Sequence, residues 1–491
     1  MNLLNEVCMS MNKKKCWNVA IFGTFDLENY GDLLFPIIAK EELSRRLSVV
    51  NVQPYSYYSR SIQDWPYKVC SITDFSDVVN NFDVVLIGGG HLIRFDKLIA
   101  PGYGPPNPNY HHPTSYWLTP GLVGMQHDVP LIWNAPGLSE TLPTWSNPLL
   151  KLTLNLSSYI SVRDEYSAKV MNEIDDSAQI SVVPDTAFTV SRLIDEKNFS
   201  KQYIELKEKY CLLRPYIIIQ ATSRGLEFFL RLIDNHRSEF KDYLFVVITI
   251  GPAIGDDLKF VNIELPNLIK LPFLSNPLLI AELICHSAGV VGSSYHLAIT
   301  SLAFGIPVFS TIDISHGKLS SLIKYERIYS LPLEGDIYAP WFTSKLGKKV
   351  LSSTILDAHE QLDLHWDCIV KIILKSEKST SSTLNKFWFE LPYILEKGVV
   401  DLDLRRQRYE SELQQKQDKY ETDLQLKHDQ YKAELQQKCD QYEAEILRNR
   451  YQLNELNERL ILSINSIEII KKSLSFQITK PLRVFKRLIW K

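Results

Sequence analysis

No two of the seven cysteines, at positions 8, 16, 70, 211, 285, 368 and 439, stand in a C-x-x-C spacing, and their number is odd. That argues against a disulfide framework or a structural zinc site and fits a reducing cytoplasm. No run reaches the roughly 20 apolar residues that cross a bilayer. The N-terminus, MNLLNEVCMSMNKKKC, lacks an apolar core ahead of its lysines, so no secretory signal is expected. Charge of one sign is also missing. The 54 Lys and Arg nearly balance 57 Asp and Glu, for a net charge of -3, which gives no reason to expect nucleic acid. Neither G-x-G-x-x-G nor G-x-x-x-x-G-K-[ST] occurs, so the dinucleotide and P-loop fingerprints do not apply.

What is present reads as globular. Apolar residues make up 45% of the 491 positions and charged residues 23%. Short β-rich runs at 18–22, 49–52, 83–87, 131–134, 159–162 and 180–183 alternate with helical stretches at 32–47, near 115–125 and at 164–174. Continuous apolar strands separated by helices predict a parallel sheet covered on both faces. A charged, weakly periodic segment at 191–209 reads as a hinge. The pattern then restarts, with strands at 216–220, 243–250, 269–271, 288–292 and 307–309. The expected fold is α/β, with two doubly wound lobes (17–200 and 210–350) facing a cleft. Residues 1–16 are expected to form a flexible N-terminus and 351–398 closing helices.

From 399 to 480 there is neither glycine nor proline, which predicts one long helix. Tyr409, Tyr420, Tyr431 and Tyr442 repeat every 11 residues, and Leu413, Leu424, Leu435 and Ile446 follow each by four. Such a repeat, at about 3.67 residues per turn, keeps one stripe nearly straight. Ten basic and ten acidic side chains at 405–450 supply a solvated face. Leu456, Leu460, Ile467, Ile470 and Leu474 then follow heptad spacing, interrupted by Ser463. A coiled coil over 399–475 that makes a homo-oligomer is expected, against a lone solvated helix. The end, 476–491, is basic and amphipathic. Leu482, Val484, Phe485, Leu488, Ile489 and Trp490 are interleaved with Arg483, Lys486, Arg487 and Lys491. That suits peripheral contact with a membrane surface, against a tail docked on its own protein or simply frayed.

Four segments carry candidate chemistry. In the first, Gly23 lets the chain turn after a strand, and Asp32 is a credible N-cap for the next helix, whose N–H groups face anions. The second, Gly88-Gly89-Gly90-His91, lets a ligand approach a strand end, or lets a helix pack there. In the third, Arg163 ends a strand and suits a carboxylate or phosphate in the cleft, unless Asp164 or Asp185 pairs with it. In the fourth, Ser293 and Ser294 flank a helix start, with His296 in its first turn. The helix dipole depresses such a histidine, and an anionic substrate would raise it into use as a proton donor. A satisfied core histidine is the alternative.

These four segments, GTFDLENYGDLLFP, DVVLIGGGHLI, YISVRDEYSA and GSSYHLAITSLAFGIPV, together with WNAPG at 133–137, resemble the polysaccharide pyruvyl transferase family in order and spacing across about 17–330. The resemblance implies two Rossmann-like lobes of the GT-B kind. It implies transfer of the pyruvyl unit of phosphoenolpyruvate to two hydroxyls of a surface glycan or its lipid-linked precursor, giving a ketal. Phosphoenolpyruvate is then a donor substrate, and no cofactor or metal is expected. His296 matches the family's general acid and Arg163 a donor-binding arginine. Lys318, in DISHGKLSSLI, falls where members carry a lysine. Asp26, Asn29 and Asp32 match the acceptor-side motif, with Gly89, Gly90, Ser293 and Ser294 as further binding positions. Arg224 is a phosphate candidate from its own place in the sequence. The chain departs from some members in having Ser294 where they carry an arginine two residues before the histidine, so either another basic residue holds the donor or the donor differs. A nucleotide-sugar glycosyltransferase and a non-catalytic glycan-binding scaffold are the competing readings.

Overall fold

The computed structural model describes residues 15–63, 65–95, 113–138, 142–223, 225–261, 265–315, 317–331, 339–375 and 383–489. By contact density the chain divides into Met1–Val399 and Val400–Lys491.

Besides a two-stranded parallel pairing of Gly90–Ile93 with Pro136–Leu138, the first unit contains two large parallel sheets. One has seven strands in the spatial order Cys70–Ser71, Val49–Ser56, Cys16–Phe22, Val84–Ile87, Leu131–Trp133, Ser157–Val162, Ile180–Val182. The other has six, in the order Leu268–Lys270, Leu244–Ile248, Tyr216–Gln220, Gly289–Gly292, Val308–Ser310, Ile328–Ser330. In each sheet the chain starts in the middle, runs outward, then returns to the other side of its first strand. This is the Rossmann-like winding, so the expected pair of lobes is what the chain forms. In such sheets the winding direction reverses beside the first strand, and ligands bind at the strand ends there. The two reversal points lie between Cys16–Phe22 and Val84–Ile87, and between Tyr216–Gln220 and Gly289–Gly292.

The strands read as unbroken apolar runs because both faces are covered. Along Cys16–Phe22, Val19 and Ile21 enter one core while Ala20 and Phe22 enter another. The core holding Val19 and Ile21 also holds Ile218, Val246, Val290 and Ala298 of the second lobe, so the lobes share buried apolar surface. Polar contacts fix their register: the Tyr30 hydroxyl bonds the Thr300 hydroxyl at 2.8 Å, and the Tyr30 N–H donates to the Ile250 carbonyl at 2.8 Å.

Three elements differ from expectation. The 191–209 segment is no bare hinge, because Lys201–Lys209 is a helix that buries Tyr203 and Leu206. Ser200 caps it through Tyr203 N–H, and Glu282 accepts both the N–H and the hydroxyl of Ser200. The long helix starts earlier than residue 399. It spans Thr383–Lys472 and takes Pro392 and Gly398 into its interior. Local propensity opposes that, but Ile394 packs into the first lobe's core and Gly398 lies against the Trp145 ring. Lastly, the helix after the first strand is Tyr30–Ser44 with Asn29 at its N-cap, so Asp32 sits in the first turn and is not the cap.

The helix Ser353–Lys375 closes the unit. It buries Leu362, Trp366, Ile369 and Ile373, and Asp363 receives Arg46 and Arg192 at 2.7 Å each. In the second unit the long helix is followed by Leu474–Ile478 and Lys480–Ile489. No helix among the described residues is long and apolar enough to cross a membrane.

Candidate active site

The Ser157–Val162 strand ends at Arg163, and Asp164 caps the next helix by accepting the Ser167 N–H at 2.8 Å. Arg163 can lie flat there because WNAPG ends in Gly137, where an added Cβ would stand 2.5 Å from the guanidinium Nε. Its Nη1 meets the Asp185 carboxylate at 3.5 Å, and its Nε stands 3.5 Å from Asp164. Burial opposes this charge, yet Tyr295, Asp185 and Asp164 hold the pKa above the ordinary arginine value.

Tyr295 belongs to the other lobe. Its ring lies 4.6 Å beneath the Arg163 guanidinium, and burial pushes its hydroxyl up to about 12. The next residue is His296, whose Nε2 stands 3.9 Å from the same Asp185 carboxylate. An arginine from one lobe and a histidine from the other therefore flank one buried acid. Burial depresses His296 to about 4; Asp185 pulls the other way, while Arg163 and Lys318 add to the depression. At neutral pH the free imidazole is uncharged. Nε2 of His296 and Nε of Arg163 are buried without a hydrogen-bond partner, a state that costs about 1–3 kcal/mol per group.

The first loop completes the cluster. Gly31 packs directly on the histidine, and a Cβ there would fall 1.9 Å from Nδ1. Phe35, one turn on, meets the imidazole edge-on at 5.5 Å. The Asp32 carboxylate accepts Thr24 Oγ1–H at 2.5 Å and Asn29 Nδ2–H at 2.7 Å. Burial raises Asp32 to about 6 against those two bonds; Arg163 lowers it and Asp185 raises it, so the three groups share one electrostatic neighbourhood.

Other expected residues have different work. Asp26 is turned into the first lobe. It is fully buried, and its carboxylate accepts Ser56 Oγ–H at 2.6 Å and Tyr58 N–H at 2.8 Å, so it braces the loop. Gly89 and Gly90 make room for packing: an added Cβ would meet the Phe35 ring at 2.3 Å or Asp32 at 3.1 Å. Gly90 also has φ +89°, where a side chain is strained. The N–H groups of Ser293 and Ser294 are taken by Gln220 Oε1 at 2.8 and 2.9 Å, so they do not await an anion. The Ser294 hydroxyl caps the Tyr295–Ala303 helix at Leu297. Lys318 is exposed in the Gly317–Tyr325 turn, and its charge acts on both His296 and Asp256. Arg224 lies outside the described residues.

Sequence reasoning named Asp185 only as a competitor for Arg163 and missed Tyr295, Gly31, Gln220 and Asp256. Gln220 is held by Asp256, to which it donates at 2.9 Å, and Asp256 also accepts the N–H groups of Ile250 and Gly251. The aspartate after Val182-Val183-Pro184 stands at a strand end, as the four chosen segments do, and that position was its one available signal.

The profile of the polysaccharide pyruvyl transferase family matches residues 29–316, more than half of the chain. The chain belongs to this family. The match begins at Asn29 beside Asp32 and includes Arg163, Asp185 and His296, so family membership covers the cluster itself. No curated protein matches the sequence. Solved structures with similar backbones include the UDP-GlcNAc 2-epimerase of Neisseria meningitidis, at 13% identity and TM-score 0.46, covering 77% of this chain and 100% of that one. Another is the UDP-GlcNAc 2-epimerase of Methanocaldococcus jannaschii, at 10% identity and TM-score 0.49, covering 73% and 99%. A third is the glycosyltransferase SnogD of Streptomyces nogalater, at 10% identity and TM-score 0.38, covering 74% and 100%.

Proposed function

We propose that this family member transfers the pyruvyl unit of phosphoenolpyruvate to two hydroxyls of one sugar, in a surface glycan or its lipid-linked precursor, with inorganic phosphate as the second product. The observation that carries the reading is the convergence of Arg163 and His296, from opposite lobes, on Asp185.

In this reading Arg163 and Lys318 hold the carboxylate and phosphate of the donor. Lys318 takes the part that an arginine at position 294 plays in some relatives. The arriving negative charge raises the His296 pKa, and the imidazolium gives its proton to the methylene carbon, which becomes a methyl group. One sugar hydroxyl bonds to C2 and loses its proton to Asp32, which is ionised above about pH 6. The second hydroxyl bonds to C2 as the C2–O bond to phosphate breaks, and its proton leaves with phosphate. Two C–O bonds and one C–H bond form as the C=C π bond and the C2–O bond to phosphate break, the two hydroxyl protons passing to Asp32 and phosphate, with no change of oxidation state overall. Asn29 holds Asp32 in place and borders the acceptor side.

The test is incubation with phosphoenolpyruvate and candidate glycans, following phosphate release and product mass. The expected result is one pyruvyl unit gained per phosphate released, lost in His296→Ala. Gain of a whole sugar from a nucleotide sugar would replace this reading.

A further inference from the structure

The long helix carries a surface that its own unit leaves uncovered. Tyr409, Leu413, Tyr420, Leu424, Tyr431, Leu435, Tyr442 and Ile446 are each more than half exposed. Eleven residues past Tyr442 stands Leu453, and Leu456, Leu460, Ile467, Ile470 and Leu474 continue from it at steps of three and four, with Ser463 between, again more than half exposed. The stripe thus keeps its phase across the change from an 11-residue to a 7-residue period. From Tyr409 to Ile470, within the one helix, it extends for about 90 Å at 1.5 Å per residue. Intrahelical pairs such as Gln414 with Asp418 and Arg459 with Glu455 support only the polar face, at about 0.2–0.5 kcal/mol each. Most helical stability comes from covering an apolar face, so this one needs a partner.

We propose that the partner is a second copy of this chain, parallel and in register, along residues 409–474. The repeat itself is the first reason. A stripe that changes period after residue 452 is matched along its length by a helix that changes at the same place, and the same chain in register supplies one. Charge placement is the second. Lys416, Lys427 and Lys438 lie three residues past each leucine, on one flank of the stripe. Glu410, Glu421 and Glu443 follow their tyrosines and lie on the other flank. A two-fold axis along the seam sets unlike flanks together, so Lys416 faces the partner's Glu421 and Lys438 the partner's Glu443; Lys432 breaks the series at one layer.

Sedimentation of the full chain at micromolar concentration tests this. The expected mass is twice 56.6 kDa, falling to one chain in the double variant Leu424→Glu, Leu435→Glu. Both changes sit on exposed helix, so the folded lobes, followed by their thermal transition, serve as the control. A wild-type mass of one chain, any multiple other than two, or a double variant that stays paired overturns the proposal. Register is read separately with Leu453→Cys under oxidation. A covalent pair above the wild-type background is expected; a pair that sediments as two yet never cross-links there refutes the parallel in-register arrangement.

Discussion

At the scale of single residues, the site is a set of groups displaced from their ordinary titration. His296 is depressed to about 4 and Asp32 raised to about 6, both chiefly by burial. The histidine's folded pKa lies below its unfolded value, so between about 4 and 6.5 the unfolded chain binds the extra proton, and stability is lost as pH falls through that window. For Asp32 the sign is opposite. The folded state binds the extra proton between its unfolded value and about 6, and above that the ionised carboxylate costs stability. Asp32→Asn should therefore raise the melting temperature at pH 7 while lowering turnover, a trade-off measured by calorimetry beside the phosphate-release assay. An unchanged or lower melting temperature would place the carboxylate in a wetter setting than described. The acid limb of kcat/KM, which reports the free protein, should show an apparent pKa near 6 in wild type, and Asp32→Asn should remove it. His296→Ala should lower turnover about a hundredfold or more, the scale of a lost general acid.

At the scale of elements, two glycines decide whether the lobes can meet. Gly31, in the first turn of Tyr30–Ser44, lets that helix touch the imidazole, and Gly137 lets the Leu131–Trp133 connection touch the guanidinium. Gly31→Ala should cost well over tenfold in kcat and also destabilise the fold, because either the ring or the helix must move. Gly137→Ala should act mainly on donor KM through Arg163. Near-normal kinetics in both would show the neighbours yielding freely. Here the limits of the sequence have a physical form. The strand-end positions of Arg163, His296 and the Gly88–Gly90 run were readable, because apolar runs and glycines mark where strands stop. Which strand ends face each other was not. Asp185 and Tyr295 gain their meaning from partners 22 and more residues away, and Asp26 looks like a site residue until Ser56 and Tyr58 are seen to occupy its carboxylate.

At the scale of the whole molecule, the doubly wound lobes were legible because each strand carries its own apolar signature, while the start of the long helix was not. Pro392 and Gly398 signal an end to helix, and only packing of Ile394 and of Gly398 against Trp145 overrides them. Truncation therefore has two outcomes. Ending the chain after residue 399 should leave the lobes with a near-native melting temperature. Ending it at 382 uncovers that part of the first lobe's core and should lower the transition by several degrees, on the scale of about 1–3 kcal/mol for a lost large apolar side chain. Equal transitions would show that the start of the helix adds nothing to the lobes. The most direct measurement of the central claim is a titration of the His296 imidazole by NMR, in the free protein and with phosphoenolpyruvate bound. The account predicts a pKa near 4 rising by two units or more once the anion sits between His296 and Arg163. An imidazole whose titration does not respond to saturating donor would contradict it.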